Sequence, residues 1–207
     1  MNAMSDRVNL PESDRHARRR SRTRACLLDA ARHVLARLGY QAATVADITR
    51  AADVGVGTFY LHFRDKDALL RTLLEEGLEE LRAEIGAVVA PLPLERSIPA
   101  AIRALCDALY AHRDLVRIAY TSGGFIDLTR RGQELLAGYL HQAITAAQAQ
   151  GLIGEDIDAP LAAGLISGMI IQGAMWWFDH PEPPPAHMAD QIIRLLRGGL
   201  PPALFAE

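Results

Sequence analysis

Val54-Gly55-Val56-Gly57-Thr58-Phe59-Tyr60-Leu61-His62-Phe63-Arg64-Asp65-Lys66 is the stretch that decides the fold. Asp53 to Gly55 is too short and too turn-like to be anything but a tight corner. It leads into a helix of barely two turns, Val56 to His62, that mixes a hydroxyl, a phenol and an imidazole with aromatic rings. Helical spacing places Phe59 and Phe63 inward, against Leu35, Leu38 and Ile48, and turns Tyr60 and His62 outward with polar tips. Just upstream, Thr44 reads as the N-cap of a preceding short helix, and Asp47 three residues later completes a capping-box pattern. Two short helices joined by a tight turn make a helix-turn-helix, whose second helix enters the major groove of DNA.

Each residue of the stretch then has a physical task. Gly55 and Gly57 leave no side chain to hold the backbone off phosphates. Thr58 can offer its hydroxyl to a phosphate or base and its methyl to a thymine, and Tyr60 and His62 suit phosphate oxygens. Lys66, the only lysine of the chain, would add a cation to the positive end of the next helix, a good place for a phosphate. A plain three-helix cap would explain Phe59 and Phe63 as core. It leaves Tyr60, His62 and Lys66 without a reason.

Outward from this motif the pattern stays helical. Leu27, Leu28, Ala31, Val34, Leu35 and Leu38 form one face of a first helix from about Thr23 to Leu38, which Gly39 stops. Asp65 is the expected N-cap of a long fourth helix to about Val89, with Leu70, Leu74, Leu78, Leu81, Ile85 and Val88 as its apolar stripe. Pro91, Pro93 and Pro99 mark a break. Further helices are expected over Ile98 to Ala111, Leu115 to Thr121, Asp127 to Gln150, Pro160 to Phe178 and His187 to Arg197. Strand-like alternation and internal repeats are absent, so the fold class is all-α. The expected division is a disordered basic arm over residues 1–20, a DNA-binding domain over 21–66 and a helical domain over 67–207.

Charge supports an anionic partner at one end. Residues 1–70 hold 12 basic and 8 acidic side chains, a net +4, and residues 71–207 hold 10 and 17, a net −7, so the total of −3 hides an asymmetry. Six arginines and no acid lie between Arg15 and Arg24, and cationic surface supplies most sequence-independent affinity for DNA. Cys26 and Cys106 lack the spacing of a zinc site or redox pair and read as small buried hydrophobes in a reducing setting. His112, His141, His180 and His187 are scattered, and no nucleophile elbow or phosphate loop appears. No metal, cofactor or catalytic residue is therefore expected. Ala159 to Phe178 is uncharged and long enough to span a bilayer. Ser167, Gln172, three glycines and flanking Asp158 and Asp179 favour a buried helix of a bundle, without a membrane partner.

Residues 23–70 resemble the DNA-binding domain of the TetR family of one-component bacterial transcription regulators. The resemblance rests on Leu38-Gly39-Tyr40, on Thr44-Val45-Ala46-Asp47-Ile48, on Gly57 through Phe63, and on Asp65-Lys66-Asp67-Ala68-Leu69-Leu70. It implies a homodimer that sets two helix-turn-helix heads on a palindromic operator in double-stranded DNA, in the cytoplasm and associated with the nucleoid when bound. It places Thr44, Thr58, Tyr60 and Lys66 at phosphate or groove contacts, with Val45 beside them. Two positions depart from the pattern: many relatives carry Ser or Thr where Gly55 stands and a polar residue where Val56 stands. Base readout is then thin, with Val56 and Leu61 left to touch thymine methyls, and DNA shape and the arm residues Arg18, Arg19, Arg20 and Arg22 left to supply much of the rest.

The resemblance also implies a ligand-binding and dimerisation domain joined through the long fourth helix. Tyr110, Tyr120, Phe125, Tyr139, Met169, Gln172 and Trp176 are candidates to line a cavity, since pockets combine apolar walls with a few placed polar groups. Asp107 is the only acid in the expected fifth helix, which favours a neutral or weakly anionic apolar effector. Gly164, Gly168, Ile171 and Met175, with Ile193 and Leu196 on the last helix, resemble the two-helix face on which such proteins dimerise. The expectation is a ligand-responsive repressor; the alternatives are an activator, a regulator without an effector, or a helical binding or membrane-associated module without DNA function.

Overall fold

The computed structural model describes residues 12–89, 94–123, 126–180 and 182–198. Among these, every regular element is a helix: α1 (Glu12–Leu38), α2 (Val45–Ala51), α3 (Val56–Tyr60), α4 (Lys66–Val89), α5 (Leu94–Ala111), α6 (Arg113–Thr121), α7 (Ile126–Ala149), α8 (Ala159–Trp176) and α9 (Pro185–Leu196). The all-α expectation holds. The chain divides into two compact units, Met1–Leu70 and Arg71–Glu207, so the boundary falls inside α4.

In the first unit, local chemistry sets where the helices begin and end. Gly39 takes a φ of +76°, the left-handed turn that ends α1 where a side chain would be strained. Thr44 caps α2 as the sequence predicts: its hydroxyl accepts from the Asp47 amide at 3.1 Å, and the Asp47 carboxylate accepts from the Thr44 amide at 3.1 Å. The corner between α2 and α3 turns on Asp53, with a φ of +52°, one of the few residue types that tolerate this conformation. The Asp65 carboxylate accepts from the Ala68 amide at 2.7 Å and starts α4. Leu27, Ala31, Leu35, Ile48, Phe59 and Leu69 are fully buried or nearly so and form the core of the unit.

The N-terminal arm departs from expectation. The sequence predicts disorder over residues 1–20 and a first helix from near Thr23, yet α1 begins at Glu12. The run from Arg15 to Arg24 lacks an apolar face, which hides it from periodicity. Arginine is nonetheless a good helix former, and the run continues a helix already nucleated on the core. Residues 1–11 lie outside the described residues. The recognition helix also ends at Tyr60, two residues before the predicted His62.

In the second unit α7 and α8 pack along each other, and α5 lies against α7, α8 and α9. Leu105, Leu140 and Ile170 sit at its fully buried centre. The Asp158 carboxylate accepts from the Leu161 amide at 3.0 Å and caps α8. Its loop from α7 is tied by the Gln148 side-chain amide, which donates to the carbonyls of Gly154 at 3.1 Å and Ile157 at 2.7 Å. A Cβ at Gly173 would stand 2.3 Å from the Met188 sulfur, so α8 and α9 approach closely there.

Candidate nucleic-acid interface and apolar cavity

The recognition segment is held from behind and open in front. Phe59 is fully buried, tilted against Phe63 at 5.8 Å and edge-on to Tyr60 at 5.3 Å. This aromatic stack sets the pose of a helix too short to be stable alone. Its outer surface carries Gly55, Val56, Gly57, Tyr60 and Leu61, all exposed, with Thr58 half-buried beside them. Neither glycine is required by the fold. Gly55 has an ordinary φ of −71°, and a Cβ on Gly57 would meet nothing within 4 Å. Gly55 is the N-cap of α3, where glycine is favoured over alanine, whereas inside the helix Gly57 costs about 1 kcal/mol relative to alanine. Bare backbone at both positions on an open face fits a surface that another backbone approaches closely.

His62 is half-buried behind Tyr60 and Leu61. Partial burial and the nearby Arg20 and Arg24 guanidinium groups hold its imidazole below the ordinary histidine value. Arg20 reaches the Leu61 carbonyl at 3.5 Å, and the Arg24 guanidinium lies 5.8 Å over the Phe63 ring. Thus α1 touches the end of the recognition segment through two of its arginines. A helix with its side chains is about 10–12 Å across, and the B-DNA minor groove is about 6 Å wide. As a helix, this arginine segment is too wide to enter a minor groove.

Two other predicted contacts have work of their own. The Lys66 ammonium donates to the carbonyls of Tyr40 and Ala43, both at 2.7 Å, and sits 4.2 Å from the Tyr40 ring centre. It braces the loop between α1 and α2 against the start of α4, a structural role that the sequence did not predict. The Thr44 hydroxyl donates to Asp47 at 2.6 Å while it caps α2. Its proton is already used. That hydroxyl and the Thr44 amide, with Arg50 nearby, hold the Asp47 carboxyl below the usual carboxylate range. Val45, between them, is half-buried.

The second unit contains an apolar cavity of about 90 Å³ walled by α4, α5, α6, α7 and α8. Leu78, Leu115, Val116, Leu136 and Ile171 supply hydrocarbon, and Gly77 and Gly132 leave the space. His112, Tyr120, Thr129 and Gln133 are its polar groups. His112 is buried and its Nε2 pairs with the Glu84 carboxylate at 3.1 Å. The Gln133 side-chain amide donates to the Tyr120 hydroxyl at 3.2 Å, and burial raises the Tyr120 phenol. A wider groove of about 620 Å³ adjoins, sharing Tyr120, Gln133 and Ile171 with the cavity and reaching Gly164, Gln172 and Met175 on α8.

A family model described as bacterial regulatory proteins, tetR family, matches residues 27–73, which begin in α1 and end in α4. Over that segment the chain resembles the DNA-binding part of tetR-family regulators. The family is one of non-enzymatic DNA-binding proteins, and the relatives of this chain are helix-turn-helix transcriptional regulators. One is the regulator HbdR of Aromatoleum sp. (strain CIB), 28% identical over 73% of this chain and 66% of the relative. Another is the fatty acid metabolism regulator protein of Bacillus subtilis (strain 168), 24% identical over 84% of this chain and 93% of the relative. Among solved structures, the fatty acid degradation regulator FadR from Bacillus halodurans superposes with a TM-score of 0.72 at 25% identity, covering 86% of this chain and 96% of that one. FadR from Bacillus subtilis, solved with stearoyl-CoA, superposes at 0.73 and 22% identity, covering 86% and 99%.

Within the second unit the predicted cavity residues scatter. Tyr120 lines the cavity and Gln172 the adjoining groove. Tyr110 stacks edge-on against buried Trp177 at 5.1 Å, and the Tyr139 hydroxyl donates to the Arg82 carbonyl at 3.0 Å. Met169 packs against the core, and Trp176 lies exposed, stacked 4.2 Å from His180. These four belong to core and surface; Phe125 lies outside the described residues. Sequence reasoning missed His112, Leu115, Gln133 and Gly77 because it looked for aromatic walls, whereas these walls are aliphatic. Gly77 left one trace, a glycine in the middle of a strong helix.

The predicted association face divides as well. Gly164, Gly168 and Leu196 are exposed, and Ile171 and Met175 half-exposed. Ile193 is only 7% exposed and packs in its own core, so its assignment to an interface is withdrawn. Leu161 and Leu165, at 59% and 64% exposure, are the most open apolar side chains of α8 and went unpredicted. With Gly168, Gln172 and Trp176 they run along one edge of the helix.

Proposed function

We propose that this chain is a repressor that binds a palindromic DNA site as a homodimer and is released by a small apolar effector. The observation that carries the DNA part is the outer face of α3. It offers open glycines and exposed Val56, Tyr60 and Leu61 on a helix braced from behind by buried aromatics. Thr58 and Tyr60 are the polar side chains available for base edges or phosphates; we assign His62 to a phosphate oxygen and Val56 and Leu61 to thymine methyls. Recognition by so few polar groups favours sites read largely through DNA shape.

The homodimer reading is supported by the exposed edge of α8. Leucines at 161 and 165 stay in water unless a second copy covers them, and Gly164 and Gly168 permit close helix approach. Two heads on such a dimer would read half-sites about one DNA turn apart. The effector reading is supported by the cavity. At about 90 Å³ it is smaller than the roughly 150 Å³ that accommodates benzene. Its occupant is therefore a group of a few carbons, or the aliphatic walls shift to admit more. Two structural neighbours were solved with acyl thioesters, stearoyl-CoA and isovaleryl coenzyme A. The shorter, branched acyl group is the closer match in size, with the thioester and carrier left in the adjoining groove. Short acyl-coenzyme A compounds are the first effectors to test.

Only an effector that favours one state over another can release DNA, and a hundredfold change takes about 3 kcal/mol of differential binding. The test is a mobility-shift titration with DNA from upstream of the gene itself. A sequence-specific, salt-sensitive shift that weakens on addition of a short acyl-coenzyme A supports the reading. A specific shift indifferent to every effector tried would leave a constitutive regulator, and absence of a specific shift refutes it.

A further inference from the structure

The six arginines of α1 do not form one patch. A helix turns by about 100° per residue, which puts Arg15, Arg18, Arg19 and Arg22 at i, i+3, i+4 and i+7, within one arc of about 100°. Arg20 and Arg24 fall about 150° and 170° from the centre of that arc. Theirs is the side that carries Leu27, Ala31, Val34 and Leu35 into the core, and both point at the end of the recognition segment. Arg15, Arg18, Arg19 and Arg22 are all exposed, on the side of the helix turned away from that core.

We propose that the two sets do different jobs: Arg15, Arg18, Arg19 and Arg22 form a phosphate-binding rail for duplex DNA outside the segment read by α3, while Arg20 and Arg24 clamp the recognition segment. This rests on the DNA-binding reading above and adds a second contact surface to it. The stripe advances about 10 Å from Arg15 to Arg22, and duplex DNA carries a charge for about every 1.7 Å of axis. Four guanidinium groups along such a rail can therefore each find a phosphate. Guanidinium pairs with phosphate oxygens through two parallel hydrogen bonds. A helix too wide for the minor groove lies along the backbone and reads no bases, so the rail adds affinity without specificity. This complements an α3 surface poor in polar side chains.

The test compares full-length protein binding a 40-base-pair random-sequence duplex, by fluorescence anisotropy, across a series of salt concentrations. The wild type is set beside Arg15→Ala/Arg18→Ala/Arg19→Ala/Arg22→Ala and Arg20→Ala/Arg24→Ala, since alanine preserves the helix. Each phosphate that no longer meets a guanidinium lowers the slope of log affinity against log salt by about 0.9. The rail variant should lose about 3.6 from the slope for each bound protomer, and the pair Arg18→Ala/Arg22→Ala about half as much. The Arg20/Arg24 variant should change the slope by less than about 1 while amide exchange over residues 59–64 quickens. A rail variant with the wild-type slope overturns the proposal, as does an equal loss in the Arg20/Arg24 variant. A wild type that does not bind the duplex at all removes the DNA reading itself, and the rail with it.

Discussion

Replacing Lys66 with methionine separates two roles that the same position could serve. The side chain keeps its unbranched shape, is one atom shorter, and loses its charge. The carbonyls of Tyr40 and Ala43 then lose the donor now 2.7 Å from each, and the Tyr40 ring loses its cation. Hydrogen bonds to a charged group contribute about 1.5–3 kcal/mol each when buried. The site is only part-buried, and water can replace some of what is removed, so about 1 kcal/mol per bond is the better figure. The local loss is then about 2 kcal/mol, which raises the open population about 30-fold. Native-state amide exchange reads this directly: the amides of residues 43–48 and 68–70 should exchange about 30-fold faster, as a local opening. The slope of DNA affinity against salt should stay within about 0.3 of the wild type. A slope lowered by about 0.9 with exchange unchanged would make Lys66 a phosphate ligand and refute the brace.

Four other outcomes rest on particular side chains. Burial pushes the Cys106 thiol up to about 12, while Cys26 is exposed; a thiol reagent at pH 8 should therefore titrate one cysteine in the native chain and a second only on unfolding. A Cβ at Gly77 would stand 2.4 Å from a Leu115 methyl, so Gly77→Ala should push Leu115 into the cavity. It should weaken effector response at least tenfold in the mobility-shift titration while DNA affinity stays the same. Leu165→Glu places a charge on the most exposed leucine of α8 and should shift the protein toward monomer in sedimentation at micromolar concentration; an unchanged dimer would place the interface elsewhere. His62 has a lowered folded value, so its stabilising contribution is complete above the ordinary histidine range and fades as pH falls through it. Bound phosphate would oppose that lowering. DNA affinity should then rise from pH 7.5 to 6 in the wild type and stay flatter in His62→Gln.

The helices are legible because burial leaves a period. The stripes of α1 and α4, the capping box at Thr44 and Asp47, and the glycine stop at Gly39 are each local statements, and each survives folding except at the far ends of the stripes, where Leu38 and Val88 are exposed because no neighbour covers the last turn. What fails to read are places where long-range contacts decide. Residues 12–22 carry no apolar face, so their helix has no periodic signal and exists because α1 is anchored further on. Asp53 rather than a glycine makes the left-handed corner, because a single tolerated φ leaves no trace in hydropathy. Lys66 looks, in sequence, like a free cation beside a helix start. Its carbonyl partners lie 23 and 26 residues earlier, and no spacing rule connects them.

The cavity shows the same limit from another side. Aromatic side chains attract attention as pocket walls, yet a large ring in a helical bundle gains most by filling space. Tyr110 against Trp177 and Tyr139 against α4 do that. Space is left instead where side chains are absent or slim, which is why Gly77, Gly132 and Ala174 line the cavity. The polar groups that can orient a ligand are correspondingly those with a partner behind them: His112 with Glu84, and Tyr120 with Gln133. A ligand meeting such groups does not have to supply every hydrogen bond itself, since an oriented imidazole or phenol enters the contact already held. Removing Glu84 or Gln133 should therefore weaken effector binding by loosening His112 or Tyr120. Because Glu84 does not line the cavity, an effect of Glu84→Gln on ligand affinity can arise only through His112. The absence of any effect would show that the ligand makes no use of that imidazole.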